Sequence, residues 1–169
     1  IPAGGAGEIR RHAQGVLAIL SPFNFPAHLL NSNVVPALAT GNTVVAKPSE
    51  ITPWVGELYA QCAAEADLPP GVFNLVQGGA DVGRALVAHP GVHGVIFTGS
   101  WATGHAIAGA LLDQPQKMLA LEMGGKNCAV IMDDADLGLA LMEIVQSALV
   151  TTGQRCTAIS RVLVHHRVA

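Results

Sequence analysis

Short apolar runs, recurring at intervals too long for hairpins, constrain this chain more than any other feature of its sequence. They fall at residues 15–20 (GVLAIL), 42–46 (NTVVA), 72–76, 92–97 and 117–121, with helical patterning between them at 26–39, 53–66, 80–88 and 103–112. Strands that are apolar throughout, rather than alternating, belong in a sheet covered on both faces. Strand and helix in alternation imply right-handed crossovers, so the expected fold class is α/β, a doubly wound parallel sheet. Half of the 169 residues are apolar, only 12% are charged and mean hydropathy is +0.43, which suits such a sheet or a piece of something larger.

Local signals refine the elements. Pro36 is expected to end or kink the first helix, while Thr52 suits an N-cap ahead of Pro53 in the first turn of the second. The regular alternation stops at Gly124-Gly125, a soft boundary followed by a strand at 129–132 and a helix from about Asp134. In that helix Leu137, Leu141, Ile144 and Ala148 are spaced for one face, and Asp133, Asp134 and Asp136 suit its N-terminal end. A last strand, residues 159–164, has no obvious partner, and Cys62 is expected to face a helix packing surface.

Totals exclude several classes. Net charge is −3 and the nine Lys and Arg residues are scattered, which gives no surface for nucleic acid. The three cysteines, Cys62, Cys128 and Cys156, form no CxxC pair and leave one unpaired in any disulfide scheme, pointing to a reducing compartment. No apolar run reaches membrane-spanning length and the start lacks a signal-peptide core, so the expectation is a cytoplasmic chain with no membrane partner. His89 and His93 are separated by Pro90 and Gly91, which argues against a helical metal pair, and no metal site is expected.

In a doubly wound sheet, ligands bind outside the carboxyl ends of the strands. There the sequence reads Ser21 to Pro26 (SPFNFP), Lys47 to Glu50 (KPSE), Thr98-Gly99-Ser100 and Glu122 to Gly125 (EMGG). The turn GSWATG, Gly99 to Gly104, can present backbone N–H groups and a helix N-terminus to a phosphate, although glycine as a plain turn residue fits equally. Glu50 can accept hydrogen bonds from ribose hydroxyls and Lys47 can contact ribose or phosphate; a solvated surface pair is the competing reading. Asn24, between Phe23 and Phe25, is either a turn residue or a donor to an oxyanion. Glu122, between an apolar strand and two glycines, is either a structural acid or a general base. Cys156, in the small-residue loop TTGQRCT with Arg155 as a candidate cation, is either a structural thiol or a nucleophile.

Together the motifs SPFNFP, GNTVVAKPSE, FTGS, LEMGGKN and GQRCT, in this order, resemble the aldehyde dehydrogenase superfamily. The wider wording, including LPPGVFNLVQGG and QSALVTTGQRCT, is similar to the branch of that family acting on succinylglutamate semialdehyde in arginine breakdown. The resemblance implies that residues 1–123 form a Rossmann-like NAD-binding domain lacking its N-terminal part, and that 124–169 begin a truncated α/β catalytic domain. It implies catalytic roles for Cys156 as nucleophile, Asn24 as oxyanion donor and Glu122 as the base that activates water. It places Lys47 and Glu50 on the adenosine ribose, Gly99 and Ser100 against the pyrophosphate, and Gly104 and Phe23 also on the cofactor. NAD is expected over NADP, because Glu50 would repel a 2′-phosphate. The implied partners are a small aldehyde and, in a full-length enzyme, further copies of the same chain. Phe23 replaces the tryptophan of many relatives, Met123 a leucine and Cys128 a proline. Two other readings compete: a catalytically silent nucleotide-binding or interaction module, and a Cys–His hydrolase.

Overall fold

In a computed structural model, described here for residues 7–169, seven strands and five helices follow one another. They are β1 (Val16–Leu20), α1 (Pro26–Ala39), β2 (Thr43–Lys47), α2 (Pro53–Glu65), β3 (Phe73–Leu75), α3 (Ala80–Ala88), β4 (Gly94–Gly99), α4 (Trp101–Ala110), β5 (Met118–Met123), β6 (Asn127–Ile131), α5 (Leu137–Leu149) and β7 (Ile159–Val164). The first five strands form one sheet, all neighbours parallel, in the order β3-β2-β1-β4-β5.

Side-chain alternation along the central strands explains why both faces are covered. Leu17 and Ile19 of β1, with Val44 and Ala46 of β2, pack on Leu30, Val34 and Ala37 of α1. Ala18 and Leu20, with Val95 and Phe97 of β4, pack on Val87 of α3 and on Ile107 and Leu111 at α4. Burying a side chain such as Leu30 completely contributes about 2 kcal/mol, so these two layers supply most of the cohesion.

Several local expectations are corrected. Helix α1 passes through Pro36 and ends three residues later at Ala39, where the Pro36 carbonyl accepts from both the Thr40 amide and hydroxyl. Thr52 occupies the N-cap position of α2, but its hydroxyl makes no capping bond and is buried without a partner. Helix α4 starts at Trp101, earlier than its apolar spacing suggests, because the Ser100 hydroxyl caps the Thr103 amide. Helix α5 starts at Leu137 for the same reason, with the Asp136 carboxylate accepting from the Leu139 amide.

Residues beyond Met123 build a second, two-stranded sheet. The last strand, expected to lack a partner, pairs in parallel with β6 across helix α5. No α5 residue is buried: Leu137 and Leu141 are exposed and only the Ile144 side of the anticipated stripe is partly covered. Val130, Leu163 and Val164 are exposed on the strands beneath. Cys62, expected to face a packing surface, is exposed on α2. None of the described helices is long and apolar enough to cross a membrane.

Candidate active site

Strand order reverses between β1 and β4, so their carboxyl ends mark the topological switch point, where doubly wound folds bind ligands. On the α3 and α4 side of the sheet, β2 ends at Lys47, whose side chain is buried while its ammonium bonds the Pro48 carbonyl at 2.8 Å. Its stem runs 3.9 Å from where a Cβ on Gly83 of α3 would stand. Glu50 lies exposed at 3.4 Å from that ammonium. Its own backbone N–H, and secondarily Lys47, hold the Glu50 carboxyl below the ordinary carboxylate value. The pair is therefore half buried and half solvated, unlike a free surface ion pair.

At the neighbouring strand end, Ser100 caps α4 and also bonds the Thr103 hydroxyl at 2.9 Å. Gly99 closes β4, whereas Gly104 is buried, and a side chain there would collide with Met123 of β5. Gly104 thus sets the approach of α4 to the sheet.

The end of β1 leads to the cysteine, through Asn24. Cys156 is exposed at the tip of a turn, residues 155–158, closed by the Ala158 amide donating to the Arg155 carbonyl at 3.2 Å. Three tethers hold this turn. The Asn24 amide, just after β1, donates to the Gln154 carbonyl at 2.7 Å. The Arg155 guanidinium lies 5.6 Å over the Phe25 ring and bonds the Thr151 hydroxyl at 3.0 Å. The Asn127 amide, at the start of β6, donates to the Cys156 carbonyl at 2.6 Å and to the Ala158 carbonyl at 3.2 Å.

Glu122 stands on β5, in register with Thr98 of β4. Its neighbours Leu121 and Met123 pack toward α4, so alternation turns Glu122 to the other face, where it is exposed rather than enclosed by apolar groups. Three residues on, Gly125 comes within 3.9 Å of the Cys156 carbonyl, measured from where its Cβ would be. Three extended residues span at most about 10 Å, which bounds the separation of Glu122 from the cysteine turn. The structure therefore brings Asn24, Phe25, Gly125 and Asn127 to the Cys156 turn, with Glu122 on the strand leading into it. Lys47, Glu50 and Ser100 stand at and just beyond the ends of β2 and β4, and Phe23, just after β1, is exposed.

Asn127 and Arg155 carry more of this geometry than their sequence signals suggest. Arg155, a candidate cation for the thiol, is engaged with Phe25 and Thr151. None of the described histidines hydrogen-bonds Cys156; His89 and His93 accept from the Gly91 and Val16 amides.

A parallel five-stranded sheet with its switch point between β1 and β4, and an exposed thiol on a tethered turn, defines a Rossmann-like α/β protein. Residues 2–169 match the aldehyde dehydrogenase family, and the chain belongs to it. It is 51% identical over 162 residues to N-succinylglutamate 5-semialdehyde dehydrogenase of Enterobacter sp. (strain 638), covering 96% of this chain and 33% of that protein. Among solved structures it resembles the NAD-dependent aldehyde dehydrogenase of Sinorhizobium meliloti (TM-score 0.90, 38% identity, 94% of this chain and 32% of that one). It also resembles a mutant aldehyde dehydrogenase C of Pseudomonas syringae complexed with NAD⁺ and octanal (TM-score 0.89, 39% identity, 93% and 32%). The chain spans about a third of the length of the relatives it matches.

Proposed function

We propose that this chain contributes the NAD-binding and nucleophile-bearing part of an enzyme that oxidises an aldehyde, a semialdehyde such as N-succinylglutamate 5-semialdehyde, to the carboxylic acid. The observation that carries the reading is the Asn24 amide at 2.7 Å from the Gln154 carbonyl, which sets a strand-end amide beside the Cys156 turn. One N–H of that amide is committed to Gln154 and the second is free to serve an oxyanion.

In this mechanism the Cys156 thiolate attacks the aldehyde carbon, and the oxygen that becomes negative accepts from the Asn24 amide and the Cys156 backbone N–H. A dinucleotide bound at the switch point supplies a hydride acceptor. Loss of hydride leaves a thioester on Cys156, and Glu122 takes a proton from the water that hydrolyses it. The residues present fit a dinucleotide: Lys47 and Glu50 suit the adenosine ribose, and Gly99 and Ser100, at the start of α4, suit the pyrophosphate. In this reading residues 1–123 are the NAD-binding domain and 124–169 the beginning of the catalytic domain, and the complete enzyme is a cytoplasmic homo-oligomer.

In the full-length polypeptide, Cys156→Ala abolishes the acyl-enzyme, and Glu122→Gln preserves a NADH burst while slowing steady turnover. Aldehyde oxidation retained in Cys156→Ala overturns the reading. The second reading, a silent nucleotide-binding or interaction fragment, is favoured by α5, which buries none of its residues. NAD calorimetry beside a NADH-production assay separates the two.

A further inference from the structure

The two strands of the second sheet do not pair evenly. Asn127 is opposite Ile159 but Cys128 is opposite Arg161, so Ser160 is an extra residue and the ladder bulges at the first position of β6. Bulges re-aim side chains, and this one turns the Asn127 amide onto the cysteine turn. There it bonds two carbonyls at once, those of Cys156 and Ala158. The bulge is itself fastened, since the Ser160 hydroxyl donates to the Asn127 carbonyl at 3.3 Å and the Arg161 guanidinium to the Lys126 carbonyl at 2.7 Å.

We infer that Asn127 is a positioning residue for the reaction, an amide aimed by a β-bulge at the nucleophile's own carbonyl. Fixing the Cys156 carbonyl fixes the peptide plane that follows the cysteine, and the bond to Ala158 fixes the other end of the same turn. Cys156 is exposed, so packing does not restrain it; hydrogen bonds must do so. Asn24 and Arg155 hold the turn on its N-terminal side and Asn127 holds it on the C-terminal side. The inference rests on Cys156 being the nucleophile.

The test uses the full-length polypeptide with Asn127→Leu, which keeps approximate volume and removes the donor, and Asn127→Ser, which restores a shorter one. Asn127→Leu lowers kcat roughly 10- to 100-fold, the scale on which misplacing a reacting group acts, with the cofactor KM unchanged and Asn127→Ser recovering part of the loss. An unchanged urea-unfolding midpoint reports an intact fold. A kcat within about threefold in Asn127→Leu overturns the inference, as does a parallel shift in cofactor KM and unfolding midpoint. If Asn127→Leu does not fold, Asn127→Ser carries the same comparison. An active Cys156→Ala removes the underlying assignment, whereas an inactive Cys156→Ala beside a fully active Asn127→Leu removes this inference alone.

Discussion

Asn24 and Gln154 are 130 positions apart, yet the side-chain amide of one bonds the backbone carbonyl of the other at 2.7 Å. The bond joins the end of the first strand to the loop before the cysteine, and so ties the two sheets at the candidate site. Energetically it is small: a neutral hydrogen bond nets about 1 kcal/mol, and an exposed cation–π pair such as Arg155 over Phe25 about 0.5–1 kcal/mol. Its consequence is orientation rather than stability.

Asn24→Ala therefore separates the two effects. Unfolding free energy falls by about 1 kcal/mol, while kcat falls about 10²- to 10³-fold, the loss expected on deleting one oxyanion donor. Chemical denaturation and steady-state kinetics on the same preparation read both. An unchanged kcat removes Asn24 from the chemistry.

In the proposed reading, Glu50 governs cofactor choice. Its carboxyl is held below the ordinary value of 4.5, so it is ionised in the folded protein at neutral pH and repels a 2′-phosphate. Glu50→Gln raises affinity for NADP relative to NAD, measured by calorimetry with each dinucleotide. Because the carboxyl stays charged until the pH falls through its lowered folded pKa, NAD affinity is flat near neutrality and weakens only in acid. The stability this depressed pKa contributes is present above the unfolded value and lost over the same acid range. A selectivity unaltered by Glu50→Gln places the ribose elsewhere.

The doubly wound sheet was legible because its strands are apolar on both sides and its turns carry proline, glycine and capping residues. Boundaries shifted where one hydroxyl or carboxylate decided them, as Ser100 and Asp136 do for α4 and α5. Pro36 does not stop α1 at the preceding residue: the helix closes one turn later at Ala39, with the Pro36 carbonyl accepting from the Thr40 amide. The partner of β7 was illegible since pairing depends on contacts made over long sequence separation. Asn127 escaped a functional reading, and Arg155 was read only as a cation for the thiol, for the same reason: their partners are carbonyls and a ring contributed by distant segments.

Lys117 is a further position whose role comes from distant carbonyls. Its side chain is buried and its ammonium bonds the Val87 and His89 carbonyls at 2.9 Å each, closing the end of α3. Lys117→Met fills the space but strands both carbonyls, and costs about 1–3 kcal/mol in urea unfolding. NAD affinity is unaffected, because these carbonyls lie away from the switch-point residues. A neutral substitution shows that water replaces the ammonium.

The chain reaches the cysteine turn through three consecutive left-handed residues, Thr151 (φ 58°), Thr152 (φ 53°) and Gly153 (φ 69°). Such a conformation costs roughly 1–2 kcal/mol for a residue bearing a Cβ. Thr151 is held through its hydroxyl by Arg155, and the next residue but two, Gln154, is held by Asn24. Gly153 is the position with no room to adapt, since a Cβ there would stand 2.9 Å from the Ala148 carbonyl oxygen. Gly153→Ala therefore destabilises by about 1–2 kcal/mol and, by displacing the turn, lowers kcat while cofactor KM holds. Thr152→Gly is the control: relief of left-handed strain and the added unfolded-state entropy oppose each other, leaving stability within about 1 kcal/mol. Equal effects from the two substitutions, by urea unfolding and steady-state kinetics, show that the turn is not held by backbone geometry.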